Sequence, residues 1–181
     1  MDYQILAPGG PVVMTPVLHG DARGFFMETF RQYDFARHCG DHVFVQDNQS
    51  RSGARVLRGL HYQLRQPQGK ILRVISGSVF DVAVDLRRSS PFFGKSYTQV
   101  LDTEKHRMFW VPPGFAHGFL VLGDGAEFVY KCTTYYAPDD ECCLKWDDPA
   151  LCIDWPVPPE GPILSEKDAR GLPLAECPTF P

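Results

Sequence analysis

Val79-Phe80-Asp81-Val82-Ala83-Val84-Asp85-Leu86 is the stretch on which the fold turns. Phe80, Val82, Val84 and Leu86 share one face of an extended chain, and Val79, Asp81, Ala83 and Asp85 share the other. The period is two, the repeat of a strand with one face in a core. Outward from there the pattern recurs. Glu127–Tyr136 alternates, with Phe128, Tyr130, Cys132, Thr134 and Tyr136 on one side, and Lys70–Ile75 is apolar on both sides apart from its Lys and Arg. Gly123-Asp124-Gly125, just before Glu127, reads as a hairpin turn. The 16 Gly and 16 Pro divide the chain into short apolar segments, few of them with a helical period. Many short strands between turns predict an all-β sandwich or barrel. Short peripheral helices are expected at Gln32–Cys39 and Glu166–Arg170, the second capped by Ser165. The proline-rich stretch after Trp155 is expected to wrap the surface. A length of 181 residues, without repeat, low-complexity tract or linker, predicts a single domain over 1–181.

Composition narrows the partners. The net charge is −4, so the chain lacks the basic field that draws in nucleic acid polymers. A few arginines in one cleft can still hold a small anion. There is no positively charged leader before an apolar run and no stretch near the ~18 apolar residues a membrane helix needs, so a cytoplasmic protein without a membrane partner is expected. Cys39, Cys132, Cys142, Cys143, Cys152 and Cys177 form no CxxC pair and no zinc-type spacing, and free thiols are expected.

Several stretches carry groups capable of chemistry. Val56-Leu57-Arg58-Gly59-Leu60-His61-Tyr62-Gln63 sets an Arg and a His in an apolar strand. A lone buried His is ordinarily a satisfied core group, but Arg58 also needs a partner. In a regular strand the two side chains point to opposite faces, and a bulge at Gly59 would bring both to one cleft. Tyr130 is either core packing or a proton donor at a cavity wall. Lys70, after Gln66-Pro67-Gln68-Gly69, is either a solvated strand end or a functional amine. Gln46-Asp47-Asn48-Gln49-Ser50 suits either a bound ligand or an Asx turn, and the segment around Arg23 and Glu28 reads as a charged hairpin. Pro112-Pro113-Gly114-Phe115-Ala116-His117-Gly118-Phe119 loosely has the outline of the second cupin motif. The first motif is reduced to His61-Tyr62-Gln63, so three good ligands do not assemble and no metal is expected.

These pieces occur in one order. DARGFF-E from Asp21, FVQDN from Phe44, VLRGLHYQ from Val56, QGK from Gln68, GSVFDVAVDLR from Gly77, PPGFAHGF from Pro112, AEFVYK from Ala126, Trp146-Asp147-Asp148-Pro149 and LSEKDA from Leu164 cover nearly the whole chain. In that order they resemble the dTDP-4-dehydrorhamnose 3,5-epimerase family. The resemblance implies a cupin-like antiparallel jelly roll that works as a homodimer, with no cofactor and no metal. It implies His61 as general base, Asp168 as its carboxylate partner, Tyr130 as proton donor on the opposite face of the sugar, and Lys70 as the group that steadies charge on the C4 oxygen. Arg58 and Arg23 resemble phosphate-binding arginines. Glu28, Gln46, Asp47, Asn48, His117, Tyr136, Glu141 and Lys167 stand at further contact positions, with Arg23 and Glu28 serving the neighbouring subunit.

The chemistry of the implied substrate, a dTDP-4-keto-6-deoxyhexose, suits these residue types. Hydrogens at C3 and C5 are α to the C4 ketone, and removing one leaves an enolate whose charge needs a fixed donor. The base should titrate near neutrality, as His does, and inversion requires a second acid. Rival readings are a 3- or 5-epimerase acting at one carbon, a cupin that only binds sugar nucleotides, and a metal-dependent cupin.

Overall fold

The computed structural model describes residues 1–181. Its elements in chain order are β1 (Asp2–Ile5), β2 (Val12–Thr15), β3 (Leu18–Asp21), β4 (Gly24–Met27), α1 (Gln32–Cys39), β5 (Gln46–Gly53), β6 (Leu57–Gln63), β7 (Lys70–Asp85), β8 (Ser96–Asp102), β9 (Met108–Val111), β10 (Phe115–Cys132), β11 (Glu141–Cys143) and α2 (Glu166–Ala169). All strand pairing between these elements is antiparallel. β3 and β4 form a separate hairpin, and the other strands form one nine-stranded sheet folded on itself.

The fold is made by β7 and β10, which pair along almost their full length. The first half of β7 also pairs with β9, and its second half with β8. Likewise β10 pairs with β6 through its first half and with β5 through its second. The two strands thus belong to both layers of the sandwich and bend between them. The bend falls at Gly77 and at Gly123-Asp124-Gly125, where the register jumps from Leu122↔Ser78 to Ala126↔Gly77. Gly77 has φ 75°, and a Cβ there would collide with the Gly125 carbonyl. The expected hairpin turn at Gly123–Gly125 is therefore a corner inside one long strand. Local sequence cannot separate the two, because a bulge and a turn both use glycine at positive φ.

The sandwich interior holds Leu72, Val74, Val79, Ala83, Phe109, Phe119 and Phe128. It takes the face of β7 that carries Asp81 and Asp85, both fully buried. The expectation that only one face of Val79–Leu86 is buried needs correction. Val82, Val84 and Leu86 are equally buried, against Leu60, Leu144, Leu151 and Cys177. The chain after β11 supplies this second cover, held by single bridges Val56↔Ile163, Leu144↔Leu172 and Arg87↔Phe180. Under the other layer, Phe35 of α1 packs with Ile71, Met108 and Trp110.

Both helices lie where expected. In α1, Asp34 in the first turn and Arg37 and His38 in the last suit the helix dipole, and Gly40 at φ 92° ends it. In α2, Ser165 caps the helix by accepting from the Asp168 N–H. Glu127–Tyr136 is corrected at its end: β10 stops at Cys132, so Thr134 and Tyr136 lie beyond the strand.

Candidate active site

A cavity of about 350 Å³ is lined by the inner faces of β5, β6, β7 and β10, with residues of β11 and α2. On β5, Gln46, Asn48 and Ser50 face it at every second position. Asp47 points the other way, 71% exposed and paired with Lys131 at 2.9 Å, so the structure does not bring it into this cavity.

Arg58 and His61 both reach the cavity, and the backbone at Gly59 explains how. His117 pairs with His61 while Phe119 pairs with Arg58, so β6 carries one extra residue over this interval. Such a bulge changes the side to which the chain points. Gly59 has φ 113°, and a Cβ there would lie 2.7 Å from both the Gly118 Cα and the His117 carbonyl. Arg58 is exposed at the rim, where its Nε donates to Ser52 Oγ at 3.0 Å.

His61 is held between two carboxylates. Its Nε2 lies 2.5 Å from Asp168 Oδ1, and its Nδ1 is 3.8 Å from Glu141 Oε1. Asp168 also accepts from the Gly59 N–H at 3.1 Å and from Ser165 Oγ–H at 2.7 Å. Burial pushes its carboxyl up, but the hydrogen bonds from His61, Ser165 and Gly59 overcome this and hold it at about 2. Glu141 accepts from Lys167 Nζ at 2.6 Å and from Tyr136 O–H at 3.0 Å. Burial raises it too, and Lys167, His61 and Tyr136 bring it below the usual carboxylate range. Tyr136 reaches this position off the strand because its N–H donates to Gln46 Oε1 at 2.9 Å.

Lys70 begins β7 and lines the cavity with Tyr130. Burial pulls the Lys70 ammonium down from its ordinary value, while Cys132, Glu141 and Asp81 oppose that shift. The Tyr130 phenol is raised chiefly by burial, then by Cys132, with Arg58 acting against. It is therefore protonated at neutral pH. His117 donates or shares a proton through Nε2 with both oxygens of Asp81, at 3.0 and 3.1 Å.

Arg23 and Glu28 lie outside the cavity. Arg23 is 90% exposed at the tip of the β3–β4 hairpin and pairs with Asp21, and Glu28 pairs with Arg31.

The chain matches the family model described as dTDP-4-dehydrorhamnose 3,5-epimerase over residues 7–176. The chain belongs to the dTDP-4-dehydrorhamnose 3,5-epimerase family. It is 53% identical over 171 residues to the dTDP-4-dehydrorhamnose 3,5-epimerase of Pseudomonas aeruginosa, covering 94% of each chain. The solved epimerase from Legionella pneumophila, in complex with dTDP-4-keto-L-rhamnose, matches with TM-score 0.92 and 46% identity, over 97% of this chain and 93% of that one. A 3'-monoepimerase from Streptomyces bikiniensis, in complex with dTDP-quinovose, matches less well: TM-score 0.84 and 35% identity, over 92% of this chain and 84% of that one. As in those structural relatives, the fold is a cupin-like jelly roll.

Within this 3,5-epimerase fold, the sequence reading missed two things. The alternation of Val79–Leu86 gives Asp81 no role, yet it anchors His117 inside the cavity wall. The available signal was a charged residue in the middle of an apolar strand. The sequence also showed no three-ligand metal set, whereas folding places donor atoms of His61, Cys143 and Asp168 within 4.8 Å of one another. Spacing could not show this, because the three residues come from three separate elements. A second cavity of about 400 Å³ borders the first, sharing Asn48 and Tyr130. It contains neither histidine, so both histidine–carboxylate pairs border the smaller one.

Proposed function

We propose that the chain epimerises C3 and C5 of dTDP-4-dehydro-6-deoxy-D-glucose, giving dTDP-4-dehydro-L-rhamnose, with His61 as the base. The observation that carries this reading is His61 clasped between Asp168 and Glu141 in one cavity with Lys70 and Tyr130. With Nε2–H donating to Asp168, the other imidazole nitrogen keeps its lone pair and takes the proton α to the ketone. The two carboxylates favour the imidazolium that results. The electron pair left on carbon moves into the C4 oxygen, where the Lys70 ammonium stabilises the enolate. Tyr130 then delivers a proton to the opposite face, and the configuration inverts. The phenolate is reprotonated from solvent and His61 releases its proton to solvent, so no redox group is consumed.

Arg58 and His117 provide cationic and N–H donors for the diphosphate. The nucleotide contacts fall to Gln46, Asn48, Tyr136 and Lys167. A second copy of the chain completes the site by supplying Arg23 and Glu28. The β3–β4 hairpin that carries them stands apart from the sheet and exposes Phe25 (59%) and Phe26 (69%), an apolar surface that a partner would cover. Residues 1–181 act as one jelly-roll unit. A cytoplasmic location suits its unpaired cysteines, and no helix is long and apolar enough to cross a membrane.

Action at both carbons is favoured over action at one by the higher identity to 3,5-epimerases than to the monoepimerase. The test is NMR of dTDP-4-keto-6-deoxy-D-glucose with the protein in D2O and a reductase to trap product. Deuterium at C3 and C5 with L-rhamno product is expected. Deuterium at one carbon only would replace this reading with a single-site epimerase.

A further inference from the structure

Cys143 has no part in the reaction above, yet its thiol stands beside the base. In the β6–β11 pair Cys143 lies directly opposite His61, and residues so placed put their side chains on the same face. Helix α2 brings Asp168 to that face, so one donor atom from each residue falls within 4.8 Å of the others. Imidazole nitrogen, thiolate sulfur and carboxylate oxygen together form a donor set suited to soft, closed-shell divalent cations.

Donors that share a tetrahedral zinc stand roughly 3.3–3.8 Å apart, given bond lengths of about 2.0–2.3 Å. A pair at the 4.8 Å limit has to close in by about an ångström, a small χ adjustment. The His61–Asp168 contact, 2.5 Å now, has to open by a similar amount. Three protein ligands leave the fourth position for water. Access exists on two sides. His61 lines the active cavity, and Cys143 lines a neighbouring one of about 590 Å³. Glu141 and Lys167 line both, which sets the three donors at the partition between them.

We propose that His61, Cys143 and Asp168 bind a soft divalent cation of the zinc and cadmium class, and that the occupied site is silent because the metal takes the base. Binding exchanges the thiol proton for the metal: the S–H bond breaks, a sulfur–metal bond forms, and the proton leaves to solvent. The silencing half rests on the role of His61 proposed above; the binding half does not.

The experiment is a Cd²⁺ titration of chelator-treated full-length protein, following thiolate-to-metal charge-transfer absorption, with turnover measured in parallel. The wild type is expected to bind one equivalent with the absorption band, to lose turnover in step with it, and to recover on adding excess chelator. Cys143→Ser should weaken this binding about tenfold or more and escape inhibition, with metal-free turnover unchanged within about twofold, because the thiol touches no substrate in the reaction. His61→Asn should lose the same binding step, which guards against a fold defect peculiar to the serine variant, as does Cys143→Ala. A band that persists in Cys143→Ser at wild-type affinity would place the metal on other thiols and overturn the site. If metal-free wild type is inactive while the band still depends on Cys143 and His61, the binding site stands and the assigned reaction fails.

Discussion

The His61–Asp168 pair closes to 2.5 Å with side chains 21% and 4% exposed, whereas the His117–Asp81 pair stands at 3.0 Å with side chains 9% and 0% exposed. Both join the same two residue types, and both histidines line one cavity. The difference lies in what surrounds each carboxylate. Asp168 accepts from Gly59, His61 and Ser165, and these donors hold it at about 2 despite burial. Asp81 receives hydrogen bonds from His117 alone, and burial raises its carboxyl against the pull of His117 and Lys70. A carboxylate with three hydrogen-bond donors beside a reachable ring suits proton transfer. A poorly solvated one beside a buried ring serves to fix a donor in place. The residue pair names neither role; the donors around the carboxylate decide it.

The comparison breaks most visibly in kinetics. His61→Ala should lower kcat by about 10³–10⁴-fold with dTDP binding nearly intact, since a base acts in the transition state. His117→Ala should instead act mainly on KM. If steady-state kinetics show the two variants losing kcat alike, the division of labour is wrong. Tyr130→Phe comes next: product formation should fall by about 10²-fold or more, while solvent exchange at the substrate falls less, read by the same NMR experiment. Equal loss of both would remove the donor role from Tyr130.

The two aspartates should also respond to pH with opposite signs, a smaller effect read in denaturant unfolding. Asp168 is lower in the folded chain than its ordinary 3.8, so it binds a proton more readily when unfolded. Its contribution is present above pH ~4 and is lost as pH falls toward about 2, and Asp168→Asn should flatten that loss. Asp81 is raised by burial, so the folded chain takes up its proton first. Stability from this group grows as pH falls through its raised folded value toward the ordinary 3.8, and Asp81→Asn should remove that gain. Matching slopes in the two variants would mean that the carboxylates are not in different environments. The smallest effect is expected at Asp47: it is 71% exposed, and Asp47→Asn should leave kcat and KM within about twofold and cost under ~1 kcal/mol.

Much of this was legible in the chain, and the limits have physical causes. Helix α2 shows in its start, because Ser165 acts on the residues next to it. The period of two in Val79–Leu86 was equally plain. The length of β7 was not, since Gly77 reads locally as a break, and only its pairing with β10 keeps the strand continuous through the corner. Burial on both faces has no local signal, because the second cover is made by residues after β11, remote in sequence. The cavity residues of β5, β6 and β10 were readable from motif and alternation, and Gly59 correctly suggested how Arg58 and His61 share a cleft. Tyr136 reaches the cavity by a route the alternation did not describe: Gln46 holds it after the strand has ended.

Asp168 lies C-terminal to every strand of the sheet. During synthesis, the cavity walls and His61 leave the ribosome well before the residue that orients the imidazole. A chain that stops short of α2 could pair its strands and still have no oriented base. Activity thus reports that the chain has been made through α2, which pairing of the strands alone does not.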